Sequence, residues 1–461
     1  MIYQLEKHIA DTLIEFFNSF DFIDKVVIFG SRAKHTANPK SDIDLCIYSL
    51  EMSDEEFSKL KFELDELPIL YKLDIVHFEK VNKELQDNIE RDGKLLFYKL
   101  VNLEYLENKK SLIVKKGKQL PKEHKDKGNI PVIGAGKTAP YLSSKANFES
   151  DTITISSSGA NAGYVWMHNY PIWASDCTVI KIENDISFKY LYYFFRSKQE
   201  LIYSFQSGAG QPHVYWKEIK KIQIHLPTLT KQKKIANALD KASELIILRK
   251  ESIKKLDELS KSIFIDMFGD PISNPKNWAI TTLSEYGSLA RGKSSHRPRN
   301  ASELYGGEYP FIQTGNLSKG SNIYLKDYKQ TYSEFGIKQS KLFPINTIGI
   351  AIAANIGNAK ILKREFYFPD SVVGFITECP EFCTYLLSFY KEELEKKATK
   401  TAQKNINLKI LNELEVIEIP IDSQTKFATI IEKIEEQKAL YEKELKLLED
   451  NFNSLLQKSF S

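Results

Sequence analysis

Residues 26–48 read VVIFGSRAKHTANPKSDIDLCIY: an apolar strand, a Gly-Ser turn and a second strand that opens on Asp-x-Asp. Residues two apart on a strand share a face, so Asp42 and Asp44 project together. Outward from this stretch, residues 1–100 alternate helix and strand. The opening MIYQLEKHIADTLIEFF carries acids and reads as an amphipathic helix (Leu5, Ile9, Leu13, Phe16, Phe20), not as a signal peptide. Ser53 and Glu56 form a capping box for a second helix, and a last helix closes near Gly93. Between them lies a strand, KLDIVHF, whose Asp74 meets the other two acids if the strands are neighbours. Three clustered carboxylates repel unless cations sit among them, and oxygen-only ligands suit Mg²⁺ that also binds phosphates. A turn at Gly30-Ser31 that opens a helix presents free N–H groups to an anion. Together these parts predict metal-assisted phosphoryl or nucleotidyl transfer.

The whole chain has 461 residues, which suggests about three domains. Its net charge of +3 hides an asymmetry. Residues 1–100 hold 13 Lys+Arg against 20 Asp+Glu, a net of −7, so the remaining residues carry +10. The larger part is therefore the one suited to a polyanion. No run of 18 apolar residues occurs, so no membrane association is expected. Four scattered cysteines (Cys46, Cys177, Cys379, Cys383) complete no zinc pattern and fit a reduced, cytoplasmic protein.

GSRAKHTANPKSDIDL followed by LDIV resembles the minimal nucleotidyltransferases of the DNA polymerase beta superfamily, over about residues 20–100. The resemblance implies that Asp42, Asp44 and Asp74 are catalytic and hold Mg²⁺. It also implies that Gly30 and Ser31 bind the triphosphate of ATP or another NTP, with Arg32 nearby. His35 departs from the pattern, since many relatives place glycine there.

Residues 101–461 contain one pattern twice. A shift of 194 carries Asn161 onto Asn355, Gly163 onto Gly357 and Asp176 onto Asp370, and sets Phe188, Leu191 and Phe195 on Phe382, Tyr385 and Phe389. Each copy is rich in short β-like runs and glycine turns, so each reads as a mixed, strand-rich domain. A long helical stretch follows each copy. From Lys231 to Met267 apolar-biased positions recur every seven residues (235, 242, 249, 256, 263 and 239, 246, 253, 260, 267), interrupted by Arg249 and Ser260. From Ser423 onwards, Phe427, Ile434, Tyr441, Leu448 and Leu455 keep the same spacing, with Ile431, Leu445 and Phe452 in a second row. Such heptads predict an antiparallel coiled-coil pair about 55 Å long. Along duplex DNA that length corresponds to roughly 16 base pairs.

This organisation resembles the specificity (S) subunit of type I restriction-modification enzymes over residues 105–461. QKKIANALDKASELIILRKESIKKLDELSKSIFIDMFGDP looks like that family's central spacer helix, and RGKSSHRPRN with YGGEYPFIQTG like the start of a target-recognition domain. The resemblance implies binding of double-stranded DNA at a bipartite, asymmetric site, and assembly with methyltransferase (M) and restriction-translocase (R) subunits. The specificity part needs no cofactor. The expected architecture is α+β and multidomain: a nucleotidyltransferase-like α/β domain at 1–100, a target-recognition domain at 101–230, a central spacer helix at 231–270, a second recognition domain at 271–422 and a C-terminal spacer helix at 423–461.

Within the copies, the basic loop Arg291, Lys293, His296, Arg297 and Arg299 is a candidate for phosphate or guanine contact. Gln211 and His213 occupy a loop near the end of the first copy and are further DNA-contact candidates. GAGKTAPY lacks a phosphate-loop pattern, because Pro131 stands where the first glycine is required and Pro140 bars the following helix. The aromatic run YLYYFF (190–195) has helical spacing and reads as core. No Asn-Pro-Pro-Tyr and no helicase motor motif is found in the sequence. The chain thus reads as a DNA-specificity subunit with an appended nucleotidyltransferase. The alternative is a nucleotidyltransferase first, antitoxin-like, that transfers AMP to a protein or RNA hydroxyl and is targeted by a DNA-binding module.

Overall fold

The computed structural model describes residues 5–20, 22–49, 52–183, 186–208, 210–318, 320, 322–399 and 405–460. The chain divides into two compact units, Met1–Lys241 with Phe452–Ser461, and Ala242–Asn451.

The first unit opens with helix α1 (Lys7–Asn18), strand β1 (Lys25–Phe29), a four-residue helix α2 (Gly30–Ala33) and strand β2 (Ile43–Tyr48). Helix α3 (Asp54–Asp65), strand β3 (Leu73–His77), helix α4 (Lys83–Asp92) and strand β4 (Lys94–Tyr98) follow. The strands form one sheet in the order β3-β2-β1-β4, with β2 and β3 parallel and the other pairs antiparallel. Alternation along β2 sorts its side chains. Ile43, Leu45 and Ile47 join the core beneath α1 and α3, while Cys46 and Tyr48 meet α4 on the opposite face. The stripe of α1 is Ile9, Ala10, Leu13 and Phe17; Phe16, expected in the core, is only half-buried. Ser53 and Glu56 cap α3 reciprocally, as expected.

One residue, Lys99, separates β4 from the strand Leu100–Asn102, which pairs with Gln223–His225 in the next domain. Leu100 therefore belongs to the first repeat copy. Its four-stranded sheet runs Val165–His168, Thr152–Ser156, Cys177–Ile182, Leu112–Lys116. A three-stranded sheet runs Trp173–Ala174, Lys125–Ile133, Tyr141–Ser143. Tyr190, Leu191, Tyr193, Phe194 and Phe195 are buried, so the aromatic run is core. Here Ala236 and Leu239 of the first long helix pack in one cluster with Leu456 of the second.

The second unit holds the other copy, built on the same plan. Ala359–Leu362, Ile348–Ala351, Val372–Thr377 and Gly287–Arg291 repeat the strand order of the four-stranded sheet, extended by Tyr324–Leu325. Phe366–Phe368, Tyr305–Phe311 and Gln330–Tyr332 repeat the three-stranded one, extended by Lys341–Phe343. The parallel pair in each small sheet is also repeated. The equivalent glycines Gly163 and Gly357 both have positive φ (92° and 77°), which explains why glycine recurs there.

The two long helices span Leu229–Phe268 and Ile421–Phe460, 40 residues each, starting two residues before the expected points. In the second unit their pairing is antiparallel. Phe264 meets Phe427 (5.4 Å between ring centroids), Asp257 meets Lys438 (2.6 Å) and Arg249 meets Glu444 (2.9 Å). The expected interruptions are accommodated. The Arg249 guanidinium lies over the Tyr441 ring at 4.0 Å, and the buried Ser260 hydroxyl donates to Leu256 O. Sequence reasoning missed a second polar device in this seam: Glu435 and Lys438, both fully buried, joined at 2.7 Å.

Candidate functional site

The acid site forms where β1 ends against β2. In register, Asp44 of β2 lies opposite Phe29 of β1 and beside Asp74 of the parallel strand β3. The chain then turns at Gly30, whose φ is +69°. A Cβ built on Gly30 would stand 2.1 Å from Asp44 Oδ2, so only glycine lets the carboxylate lie across the turn. Burial raises the pKa of Asp44, and the negative charges of Asp74 and Asp42 raise it further, opposed by Lys72 and Arg32. The three acids are thus near enough to feel one another's charge.

Lys72 partly answers that repulsion. Its ammonium stands 2.9 Å from Asp74 Oδ2 and 3.9 Å from Asp42 Oδ2, all three side chains being substantially exposed. Among the described residues no group of three or more His, Cys, Asp or Glu side chains is arranged as a metal site. The donor set nonetheless suits a hard divalent cation: oxygen ligands only, with mutual repulsion at Asp44.

Arg32 departs from expectation. Placed beside the triphosphate by sequence reading, its guanidinium is instead only 3% exposed. It donates from Nε to Asp42 O (3.1 Å) and from Nη2 to Ser41 O (2.7 Å), and lies 4.4 Å over the Tyr71 ring. Its neighbours commit it to holding the entry to β2. Ser31 lies in α2, a single turn of helix. His35 has φ +61°, a conformation that costs a non-glycine residue.

In the second copy the basic loop is gathered on one acid. Arg299 Nη2 donates to Asp370 Oδ2 (2.5 Å), Arg291 Nε to Asp370 O (2.6 Å), and Arg297 Nη2 stands 3.9 Å from Asp370 Oδ2. Arg297 and Arg299 stay more than half exposed. Lys293 is placed through its backbone N–H on Phe368 O (3.0 Å), and His296 faces Glu303 at 3.4 Å. The repeat had marked Asp370 as equivalent to Asp176, though not as the collecting point. In the first copy Asp176 accepts from Ser158, to whose Oγ Gln211 Nε2 donates (3.2 Å). His213 Nδ1 is hydrogen-bonded to Gln211 O (2.7 Å), and its ring stacks on Tyr215.

Residues 108–258 and 275–450 match the family model described as type I restriction modification DNA specificity domain, and residues 11–100 the one described as polymerase beta, nucleotidyltransferase. The chain is similar to the MjaVIII specificity subunit of Methanocaldococcus jannaschii, a type I restriction enzyme subunit. The two are 25% identical over 311 residues, 62% of this chain and 69% of the relative. Likeness to the putative type I specificity subunit S.HindORF215P of Haemophilus influenzae is 23% over 350 residues, 67% of this chain and 80% of that one. Among solved structures, the type I S subunit from M. genitalium superposes with a TM-score of 0.52 at 18% identity, covering 79% of this chain and 96% of its own, a likeness of fold.

Proposed function

Because the chain belongs to the type I restriction-modification DNA specificity family and carries a polymerase-beta-type nucleotidyltransferase domain in front, we propose that it selects a bipartite, asymmetric DNA site for M and R subunits. The observation that carries this reading is the pair of copies with one strand order and unlike loops. Shared strands repeat the frame, while Arg291, Arg297 and Arg299 in one copy and Gln211 and His213 in the other present different side chains. Two unlike readers on one chain favour two unlike half-sites with an unread spacer. Competition binding of the chain with its M subunit, at fixed salt, tests this. Adding one base pair to the spacer should weaken binding about as much as a mismatch, ~1–3 kcal/mol. Indifference to spacer length would overturn the reading.

In the N-terminal domain the acid triad supports nucleotide transfer. Asp42, Asp44 and Asp74 would hold a divalent cation, Mg²⁺ in this reading, which supplies charge neutralisation to a bound triphosphate and acidity to an acceptor hydroxyl. The Gly30-Ser31 turn grips the outgoing pyrophosphate, and Arg32 keeps Asp42 in place through Ser41 O and Asp42 O. Transfer of AMP from ATP onto a protein or RNA hydroxyl is the proposed reaction. The acid set also favours the second reading, in which this transfer is the main activity and the DNA reader targets it. Incubation with α-labelled ATP, CTP, GTP and UTP plus M subunit, cell extract and RNA separates the two by the labelled acceptor. Label transfer that survives Asp42→Ala with Asp44→Ala would refute the assigned site.

A further inference from the structure

The two copies leave their four-stranded sheets in the same way. After Leu112–Lys116 comes Gly117, where a Cβ would stand 1.9 Å from Ser175 O; after Gly287–Arg291 comes Gly292, where it would stand 2.2 Å from Pro369 O. Ser175 and Pro369 are equivalent in the repeat. Next, Lys118 N donates to Ala174 O (2.9 Å) and Lys293 N to Phe368 O (3.0 Å), again equivalent partners. The backbone therefore places KKGKQLPKEHKDK (115–127) where the second copy has RGKSSHRPRN (291–300). No sequence similarity beyond Gly-Lys reveals this.

The two loops carry different cations in different states. The first holds six lysines against two acids, and Lys116, Lys118, Lys122 and Lys127 are exposed. Among the described residues no ion pair engages those four side chains. Asp176, at the place of Asp370, is hydrogen-bonded to Ser158 instead. In the second loop the cations are mainly arginines, and each is oriented: Arg299 by the Asp370 carboxylate, Arg291 by the Asp370 main-chain O, and Arg297 by Ser294 O and His296 O (2.7 Å each). A lysine is a rotatable, hydrated point charge suited to phosphate, whereas an oriented guanidinium matches the two acceptors on a guanine edge.

We propose that the lysine loop 115–127 of the first copy is a phosphate-backbone clamp for duplex DNA, while the oriented arginine loop of the second reads base edges. This division of labour rests on the specificity-subunit reading. The lysines set affinity without regard to sequence, and the arginines set choice.

The full chain with its M subunit is first used to select a preferred duplex from a random pool. Binding to that duplex and to a scrambled one is then measured between 50 and 200 mM salt. Lys116→Gln/Lys118→Gln/Lys122→Gln should make the log–log salt slope shallower by about 0.9 per lost phosphate contact, with equal fold losses on both duplexes. Arg297→Gln/Arg299→Gln should lose roughly 5- to 150-fold on the selected duplex and far less on the scrambled one. An unchanged melting temperature shows that each variant folds. A lysine variant that keeps the parent's slope, or loses only the selected duplex, overturns the proposal. A parent that selects no sequence at all overturns the specificity reading itself.

Discussion

Removing the Lys438 ammonium should destabilise the second unit sharply for the loss of one atom's charge. Lys438 is fully buried on the second long helix, with Nζ 2.7 Å from Glu435 Oε1 and 2.6 Å from Asp257 Oδ1. Glu435, equally buried, also accepts from Tyr385 OH (3.2 Å) and Ile323 N (3.0 Å). Lys438→Met keeps an unbranched stem and removes the ammonium. Glu435 then retains neutral donors at zero exposure without this counter-charge, a change that costs ~3–5 kcal/mol. In Lys438→Met/Glu435→Gln the buried anion is gone as well, and Asp257, 36% exposed, can hydrate. The remaining cost is then about 1–2 kcal/mol, the scale of a few imperfect hydrogen bonds. The double variant should thus be more stable than the single one. Urea unfolding followed by hydrogen exchange of peptides from 421–451 measures both. A single variant within about 1 kcal/mol of the parent, or a double variant weaker than the single, would refute the claim that this cluster is desolvated.

Acid should weaken the first unit through two histidines. Burial lowers the pKa of His168 to about 4, and burial, Lys231 and Lys25 together lower that of His225 to about 4, each from 6.5. The folded state binds fewer protons than the unfolded one, so stability is full above pH 6.5 and falls as pH drops towards 4. At pH 5.5 the loss is roughly 1.4 kcal/mol per histidine before allowance for solvent around the half-buried His225. Calorimetry at pH 7.0 and 5.5 checks this; a His168→Gln variant with the parent's full pH drop would contradict it. Gly30→Ala should abolish nucleotide transfer and cost about 1–2 kcal/mol, because its methyl group would meet the Asp44 carboxylate and alanine is strained at a left-handed φ. Normal transfer by that variant would show that the carboxylate does not need its place across the turn.

Sequence spacing revealed the features that obey a period. Asp42 and Asp44 follow from strand alternation, and the two copies and both long helices from repetition, while Asp74 joins the acids only because β3 pairs with β2. Groups whose partners lie far along the chain stayed hidden. Lys438 falls on the seven-residue row of Ile431, Leu445 and Phe452, so its place in the seam was legible, but Glu435 lies on neither row, and only Tyr385, Ile323 and Asp257 show what holds the pair there. Arg32 reads as a phosphate ligand because it follows Gly-Ser, yet carbonyls nine and ten residues on claim it. Lys72 stands just ahead of β3, two residues before Asp74, a spacing that could have placed it beside the acids. The kinship of the loops at 115–127 and 291–300 lies in strand connectivity, which single-sequence patterns do not carry.

The single-residue junction at Lys99 has a mechanical consequence. A catalytic head on a flexible tether searches a volume, and its encounter rate with a substrate follows linker length. Here the joint is bonded shut. Lys99 N donates to Asp24 O (2.8 Å), its Nζ reaches Asn18 O (3.2 Å) and Phe20 O (3.1 Å), and Tyr98 lies against His225 at 4.4 Å. The acid-bearing domain is therefore joined to the first recognition copy by one residue that its own bonds hold to the acid-bearing side, with Tyr98 against His225 across the joint. Under the proposed transfer, the acceptor hydroxyl would have to come to the triad, since no flexible tether carries the triad to it.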